Sequence, residues 1–142
     1  MNFKDKVIYV TGASLGIGYE IASVLLKQEA KVVITARNKE NLERAKNTLS
    51  KISDNVEAHA FDISDENELK KSMDNVYNHF GKIDGLVNNA PSIHPGMIKD
   101  MSINQWRTNF KANLEGAFLT TNYVLPKMIE QESGSIVNIS SV

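Results

Sequence analysis

The stretch TGASLGIG, residues 11–18, decides how this chain folds. It follows a run of β-branched and aromatic residues, KVIYVT at 6–11, and it leads into an apolar stripe formed by Ile17, Ile21 and Leu25 at helical spacing. A glycine-rich turn between a strand and a helix lets backbone N–H groups at the helix N-terminus approach a phosphate anion. No Gly-Lys-Ser/Thr follows, so the turn is not a P-loop. The alternative is a turn that needs glycine for packing alone.

Strand-like and helix-like segments alternate along the rest of the chain. Strands are expected at 6–11, 31–36, 56–61, 83–88 and in the terminal run GSIVNISS at 134–141. A helical stripe in the third helix consists of Leu69, Met73, Val76 and Phe80, and one in a later, long helix of Trp106, Phe110, Leu114 and Phe118. Repeated strand–helix–strand order with apolar strands predicts a parallel sheet covered on both faces. Right-handed crossovers make it an open, doubly wound sheet.

Three residues are typical of helix ends. Ser64 lies just ahead of an acidic first turn and is expected to begin the third helix. Gly81 follows that helix, where a left-handed residue is favoured. Ser102 is expected to open the long helix.

Composition limits the classes of function. The 142 residues are 42% hydrophobic and 23% charged, and sixteen basic against seventeen acidic residues leave a net charge of −1. This balance gives no support for nucleic-acid or membrane binding. Cysteine is absent and the three histidines are scattered, so the sequence predicts no disulfide, no thiolate catalysis and no metal site. Without a signal or transit pattern at its start, the chain is expected to be a soluble cytoplasmic protein of one domain, 1–142.

The spacing G-x-x-x-G-x-G resembles the short-chain dehydrogenase/reductase family, whose classical members carry TGxxxGIG. The resemblance continues in order along the chain: Asp62 follows the third strand, Asn-Asn-Ala at 88–90 ends the fourth, Asn113 lies in the long helix, and IVNISS at 136–141 forms the fifth strand. It implies an α/β fold, a Rossmann-type doubly wound sheet with strand order 3-2-1-4-5 in three αβα layers. The chain would be the N-terminal, NAD(P)-binding portion of such a protein.

The resemblance also implies a nicotinamide cofactor. At the tip of the second strand, where NAD-preferring relatives carry Asp, this chain has Ala36 followed by Arg37, whose guanidinium suits phosphate oxygens. NADP(H) is therefore the expected cofactor, with NAD possible, and the missing acid also counts against a methyltransferase of similar topology. The alternative is that Arg37 is only a solvated loop charge. The residues expected to bind the cofactor are Gly12, Ser14, Leu15, Gly16, Ile17, Gly18, Arg37, Asp62, Ile63, Asn89 and Ala90. Pro91 departs from the family, which usually has Gly there.

Two catalytic roles of the family map onto this chain. Ser141 matches the serine that hydrogen-bonds the substrate carbonyl, with Ser140 as the second candidate, and Asn113 matches the asparagine that holds a relay water. Both residue types also have purely structural uses, since serines form turns at strand exits and a mid-helix Asn can bond a neighbouring loop. The family's catalytic Tyr and Lys would follow Ser141, where the sequence has only Val142.

A Tyr-x-x-x-Lys spacing does occur earlier, at Tyr123 and Lys127. We reject this pair because it precedes Ser141, Pro126 interrupts its helix, and Tyr123 lies ten residues beyond Asn113, about 15 Å along a helix axis. The chain is therefore expected to be a truncated protein that binds cofactor without the catalytic Tyr and Lys.

The leading functional hypothesis is part of an NADP(H)-dependent oxidoreductase that acts on a small-molecule carbonyl or alcohol. The alternatives are a non-catalytic nucleotide-binding or interaction module, and a fragment without function of its own. Self-association is also expected, through the fifth strand as an exposed edge or through the long helix around residues 106–118, which resembles the family's usual dimerising helix.

Overall fold

The computed structural model describes residues 2–91 and 96–140. Within them, five parallel strands form one sheet in the order β3-β2-β1-β4-β5. The strands are β1 (Val7–Thr11), β2 (Lys31–Ala36), β3 (Val56–Ala60), β4 (Gly85–Asn88) and β5 (Ser135–Asn138). The predicted strand order 3-2-1-4-5 and the doubly wound α/β class are confirmed.

Helices cover both faces of this sheet. They are α1 (Gly16–Lys27), α2 (Lys39–Leu49), α3 (Glu66–Phe80), α4 (Ile103–Phe110) and α5 (Gly116–Glu130), with a 3-10 turn at Ile98–Asp100 and a π-helical turn at Lys111–Glu115. One buried cluster joins α1 and α2 to one face of β1 and β2, and a second joins α3 and α5 to the other face. Apolar residues therefore alternate between two cores along the central strands, as a sheet buried on both sides requires.

The helix ends follow the sequence in two cases out of three. Gly81 ends α3 in the left-handed conformation, with φ of 75°, and Ser102 begins α4 with a capping box. The expectation for Ser64 is wrong, because Asp65 caps α3 by accepting hydrogen bonds from two backbone N–H groups of its first turn. The Ser64 hydroxyl instead donates to Asp62 at 2.7 Å.

The apolar stripe expected on α1, formed by Ile17, Ile21 and Leu25, is only partly buried. Ile17 is 62% exposed, whereas Leu25 and Leu26 are buried with Ala22 and Gly18. Ile17 lies in the first turn of α1, beside the glycine turn, whereas the buried residues lie further along the helix from Gly18 onward. Strand bounds also differ from the expected ones by one to three residues: β3 ends at Ala60, β4 begins at Gly85 and β5 ends at Asn138.

The long helix exposes its apolar side chains. α4, the π-helical turn and α5 follow one another without a break from residue 103 to 130, and Trp106, Phe110, Leu114 and Phe118 are 46–63% exposed along them. In the described part of the chain β5 pairs with β4 alone, and Val137 is 46% exposed. No helix in that part is long and apolar enough to cross a bilayer.

Candidate functional site

A cleft of about 290 Å³ opens at the carboxyl ends of the strands, where doubly wound sheets bind ligands. Four loops meet there because β1, β2, β3 and β4 are parallel and end at the same edge. The residues that line the cleft are Gly12, Ser14, Leu15, Thr35, Ala36, Arg37, Asn38, Phe61, Asp62, Ile63, Ala90, Pro91 and Ala112.

Two glycines of the turn after β1 are required by close packing. A Cβ on Gly12, whose φ is 65°, would lie 2.6 Å from the Ala90 Cα, and one on Gly18 would lie 2.4 Å from the Asn89 Nδ2. Gly16 differs, because its φ is 60° but no atom of the described residues lies within 4 Å of its Cβ position. The first two glycines let the turn meet the end of β4, while Gly16 leaves open space at the start of α1.

Thr11 and Asn89 join the ends of β1 and β4. The Thr11 hydroxyl accepts hydrogen bonds from the backbone N–H groups of Asn89 at 2.9 Å and Ala90 at 3.1 Å. In return, the Asn89 side-chain amide donates to the carbonyls of Thr11 at 3.2 Å and Gly12 at 3.1 Å. These four bonds hold the glycine turn against the end of β4, although neither Thr11 nor Asn89 lines the cleft.

Helix α1 begins beside the cleft with backbone N–H groups that no side chain caps. Within the described residues its first turn has no side-chain cap and no acidic residue, whereas Asn38 caps α2, Asp65 caps α3 and Ser102 caps α4. The first N–H groups of a helix have no partner inside the helix and carry a partial positive charge. The start of α1 can therefore accept an anion.

Arg37 and Asp62 face each other across the mouth of the cleft. The Arg37 Nη1 lies 3.9 Å from the Asp62 Oδ2, and the two side chains are 70% and 45% exposed. A hydrogen bond from the Ser64 hydroxyl, with smaller contributions from the Ser64 N–H and Arg37, lowers the pKa of Asp62. The carboxylate is therefore charged at neutral pH, while the ion pair is long and solvated, so Arg37 can turn to another anion at little cost.

The family model for short chain dehydrogenases matches residues 6–142. This chain belongs to the short-chain dehydrogenase family. It is 36% identical over 138 residues to an uncharacterized oxidoreductase of Staphylococcus aureus strain USA300, covering 97% of this chain and 59% of that protein. A similar oxidoreductase of Staphylococcus saprophyticus is 35% identical over 141 residues, with 99% of this chain and 56% of that protein covered.

Two solved structures of short-chain oxidoreductases have a fold similar to that of this chain. A metagenomic short-chain oxidoreductase in complex with NADP has a TM-score of 0.92 at 34% identity, and a short-chain dehydrogenase from Streptomyces avermitilis has one of 0.89 at 34% identity. The matches cover 100% and 99% of this chain, but 64% and 51% of those chains. This short-chain dehydrogenase sequence thus spans between half and two thirds of the length of these relatives.

The structure brings together seven of the residues expected to bind the cofactor. Those that line the cleft are Gly12, Ser14, Leu15, Arg37, Asp62, Ile63 and Ala90. Gly16, Ile17, Gly18 and Asn89 do not line it: the first three begin α1, and Asn89 holds the glycine turn from behind. Sequence reasoning missed Phe61, which lines the cleft beside Asp62; its position at the end of an expected strand was the available signal.

Of the two expected catalytic residues, Asn113 is described by the structure and Ser141 is not. Asn113 lies in the π-helical turn, whose Ala112 lines the cleft, so this turn runs beside the site. π-helical turns are rare and occur often at functional sites. Ser141 lies outside the described residues, and Ser140, the last residue described, is exposed beyond the end of β5.

The Tyr123 and Lys127 pair is engaged elsewhere. The Tyr123 hydroxyl donates to the Asp74 carboxylate of α3, and the Lys127 Nζ lies 4.5 Å from the centroid of the Tyr77 ring. Burial, then the hydrogen bond and charge of Asp74, raise the pKa of Tyr123. A catalytic phenol needs a lowered pKa, so this pair has the wrong partners for proton transfer. Among the described residues, no group of three His, Cys, Asp or Glu side chains is placed to hold a metal ion.

Proposed function

We propose that this chain binds NADP(H) and forms the nucleotide-binding part of an oxidoreductase. The observation that carries the proposal is the cleft, because it combines an uncapped helix start, an open glycine position and an available guanidinium. These are the features that a dinucleotide phosphate needs. The structural relative in complex with NADP supports the same ligand.

The start of α1 fits the pyrophosphate. A diphosphate carries negative charge that the free N–H groups of the first turn can bind, and the open space at Gly16 lets it come close to the backbone. Ser14 and Leu15 line the cleft just before this turn, and the Ser14 hydroxyl adds a donor.

Arg37 favours the phosphorylated nucleotide. Ala36 leaves no acid at the tip of β2 to accept bonds from a ribose hydroxyl and repel a 2′-phosphate, and the Arg37 guanidinium is free to pair with one. Asp62 and Ile63 line the opposite wall, where an adenine ring would lie. NAD remains a weaker ligand in this proposal, because only the 2′-phosphate contact is lost.

The reaction proposed for the whole protein is hydride transfer between the nicotinamide and a carbonyl or alcohol. Bound NADPH would supply the hydride to a carbonyl, and bound NADP+ would accept one from an alcohol. Ala90 lies at the end of the cleft nearest β4, where the nicotinamide ribose would lie, with the turn that carries Asn113 alongside. Ser141 and Asn113 are the proposed substrate-binding and relay residues of this chain.

Fluorescence titration tests the nucleotide preference. NADPH should bind the wild-type chain at least tenfold more tightly than NADH, since hydrogen bonds to a charged group contribute about 1.5–3 kcal/mol. Arg37→Asp should remove or reverse this preference. Arg44→Asp is the matched control, because Arg44 is similarly exposed and its ion pair is with Glu40 on α2, away from the cleft-lining residues. Equal affinity of the wild-type chain for the two nucleotides would contradict the assignment of Arg37, and no binding of either would contradict the proposed function.

A further inference from the structure

A buried row of polar side chains lies on the α3 side of the sheet, away from the nucleotide cleft. The Tyr9 hydroxyl and the Ser72 hydroxyl are 2.6 Å apart, and the Ser72 hydroxyl is 2.6 Å from the His59 Nδ1. On its outer side, the His59 Nε2 lies 3.7 Å from a Glu57 carboxylate oxygen, whose other oxygen pairs with His79. The row thus runs from the fully buried centre of β1, through α3, to the edge strand β3.

When His59 is neutral, one arrangement of hydrogens lets Tyr9, Ser72 and His59 all form their hydrogen bonds. Tyr9 is 0% and Ser72 4% exposed, and in the described residues their hydroxyls bond only to each other and to His59. If the ring carries its proton on Nε2, Nδ1 accepts from the Ser72 hydroxyl, which in turn accepts from Tyr9. The two hydroxyl hydrogens then form the two hydrogen bonds, from Tyr9 to Ser72 and from Ser72 to His59. The Nε2–H faces the Glu57 carboxylate.

Protonation of His59 breaks this balance. The imidazolium carries a hydrogen on Nδ1 as well, so three hydrogens, from Tyr9, Ser72 and His59, must share the same two contacts. One hydroxyl hydrogen is left without an acceptor in a site that water does not reach. A buried donor without a partner destabilises the folded state, because its lost hydrogen bond to water is not replaced.

We propose that this row is an acid-sensitive lock that fastens β1, α3 and the edge strand β3 together only while His59 is neutral. His59 can titrate because its side chain is 21% exposed. Among the described residues, the charged or titratable groups around it are Glu57 on its own strand, Lys46 on α2, His79 of α3 through Glu57, and Tyr9 of β1 through Ser72.

The direction of the pH effect follows from the environment of His59. Burial, and then the positive charge of Lys46, lower the pKa of His59, while Glu57 opposes them in part. A histidine with a lowered pKa in the folded state stabilises the fold fully above its ordinary value of 6.5, and this contribution is lost as the pH falls through the folded value. Acid therefore weakens the connection between β1, α3 and β3, and neutral pH restores it.

Nitrogen NMR of the imidazole rings tests the tautomer directly. In the 15N-labelled chain at pH 7.5, His59 should be in the Nε2–H form, with its signals assigned from their loss in His59→Asn. A ring protonated on Nδ1 at this pH would overturn the proposal, because Tyr9 or Ser72 would then already lack an acceptor. This measurement uses the wild-type fold and does not depend on nucleotide binding.

Urea unfolding between pH 8 and pH 5 tests the lock itself. The unfolding equilibrium constant of the wild-type chain should rise by up to about tenfold per pH unit below pH 6.5, the limit for one proton. His59→Asn keeps an acceptor oxygen near the Nδ1 position but cannot titrate, so its rise should be smaller. His79→Asn is the matched control and should keep the wild-type rise. If His59→Asn keeps the full rise, or if His79→Asn alone removes it, the proposal is wrong.

Discussion

Gly18→Ala is the sharpest test of how the glycine turn is held. The added Cβ would lie 2.4 Å from the Asn89 Nδ2 and 2.7 Å from the Gly12 carbonyl oxygen. To reach an ordinary contact near 3.4 Å, the amide must move by about 1 Å, although hydrogen bonds of 3.2 and 3.1 Å hold it to two carbonyls. The carbonyl of Gly12 is backbone and cannot move without the turn. The substitution should therefore disrupt the junction of β1, α1 and β4.

The cost can be estimated from these contacts. Loss of two hydrogen bonds costs about 0.5–1.5 kcal/mol each, and displacement of the turn adds to it. Alanine recovers about 0.5–1 kcal/mol because it is a better helix former than glycine. We expect the free energy of unfolding to fall by about 2 kcal/mol, measured by urea titration with circular dichroism.

Two further variants separate the clash from general effects. Gly96→Ala should be close to neutral, since no atom in the part of the chain that the structure describes lies within 4 Å of its Cβ position. In an Asn89→Ala background, Gly18→Ala should cost about 1 kcal/mol less than in the wild type, because part of the clash has been removed. A loss below 0.5 kcal/mol for Gly18→Ala alone, or no coupling to position 89, would refute this reasoning.

Three other predictions concern the junction, the opposite edge of the sheet and the surface. Thr11→Val removes the acceptor of the Asn89 N–H in a buried site and should cost about 2 kcal/mol of stability in urea titration, with weaker NADPH binding. Burial raises the pKa of Asp84, but hydrogen bonds from the Val7 N–H and two lysines outweigh it and lower that pKa. Asp84→Ala should thus cost about 1–3 kcal/mol at pH 7, and its difference from the wild type should narrow as the pH falls below 3.8. Sedimentation should detect self-association at high micromolar concentration that Trp106→Ala weakens; a stable wild-type monomer would contradict it.

Much of the fold could be read from local patterns. Strand and helix periods, the glycine turn and the end at Gly81 are short-range signals, and a parallel alternation of strands and helices allows few topologies. Ser64 shows the limit of such signals, because serine and aspartate both cap helices. Here the Ser64 hydroxyl bonds Asp62, and Asp65 caps α3 instead. Ile17 shows a second limit, because it belongs to the apolar stripe of α1 and is nevertheless exposed. Periodicity identifies an apolar face but not how much of that face is covered.

The sequence by itself determined the doubly wound fold, the family resemblance and most of the cleft's residues, because strand–turn–helix motifs at parallel strand ends must converge on one edge. Only the tertiary structure decided which of those residues face the cleft and which hold it in place. Asn89 bonds the glycine turn from behind, Arg37 meets Asp62, and Tyr9, Ser72 and His59 form one buried row. These partners are 13 to 78 positions apart in the chain, so their distances depend on how strands and helices pack, which no local pattern encodes.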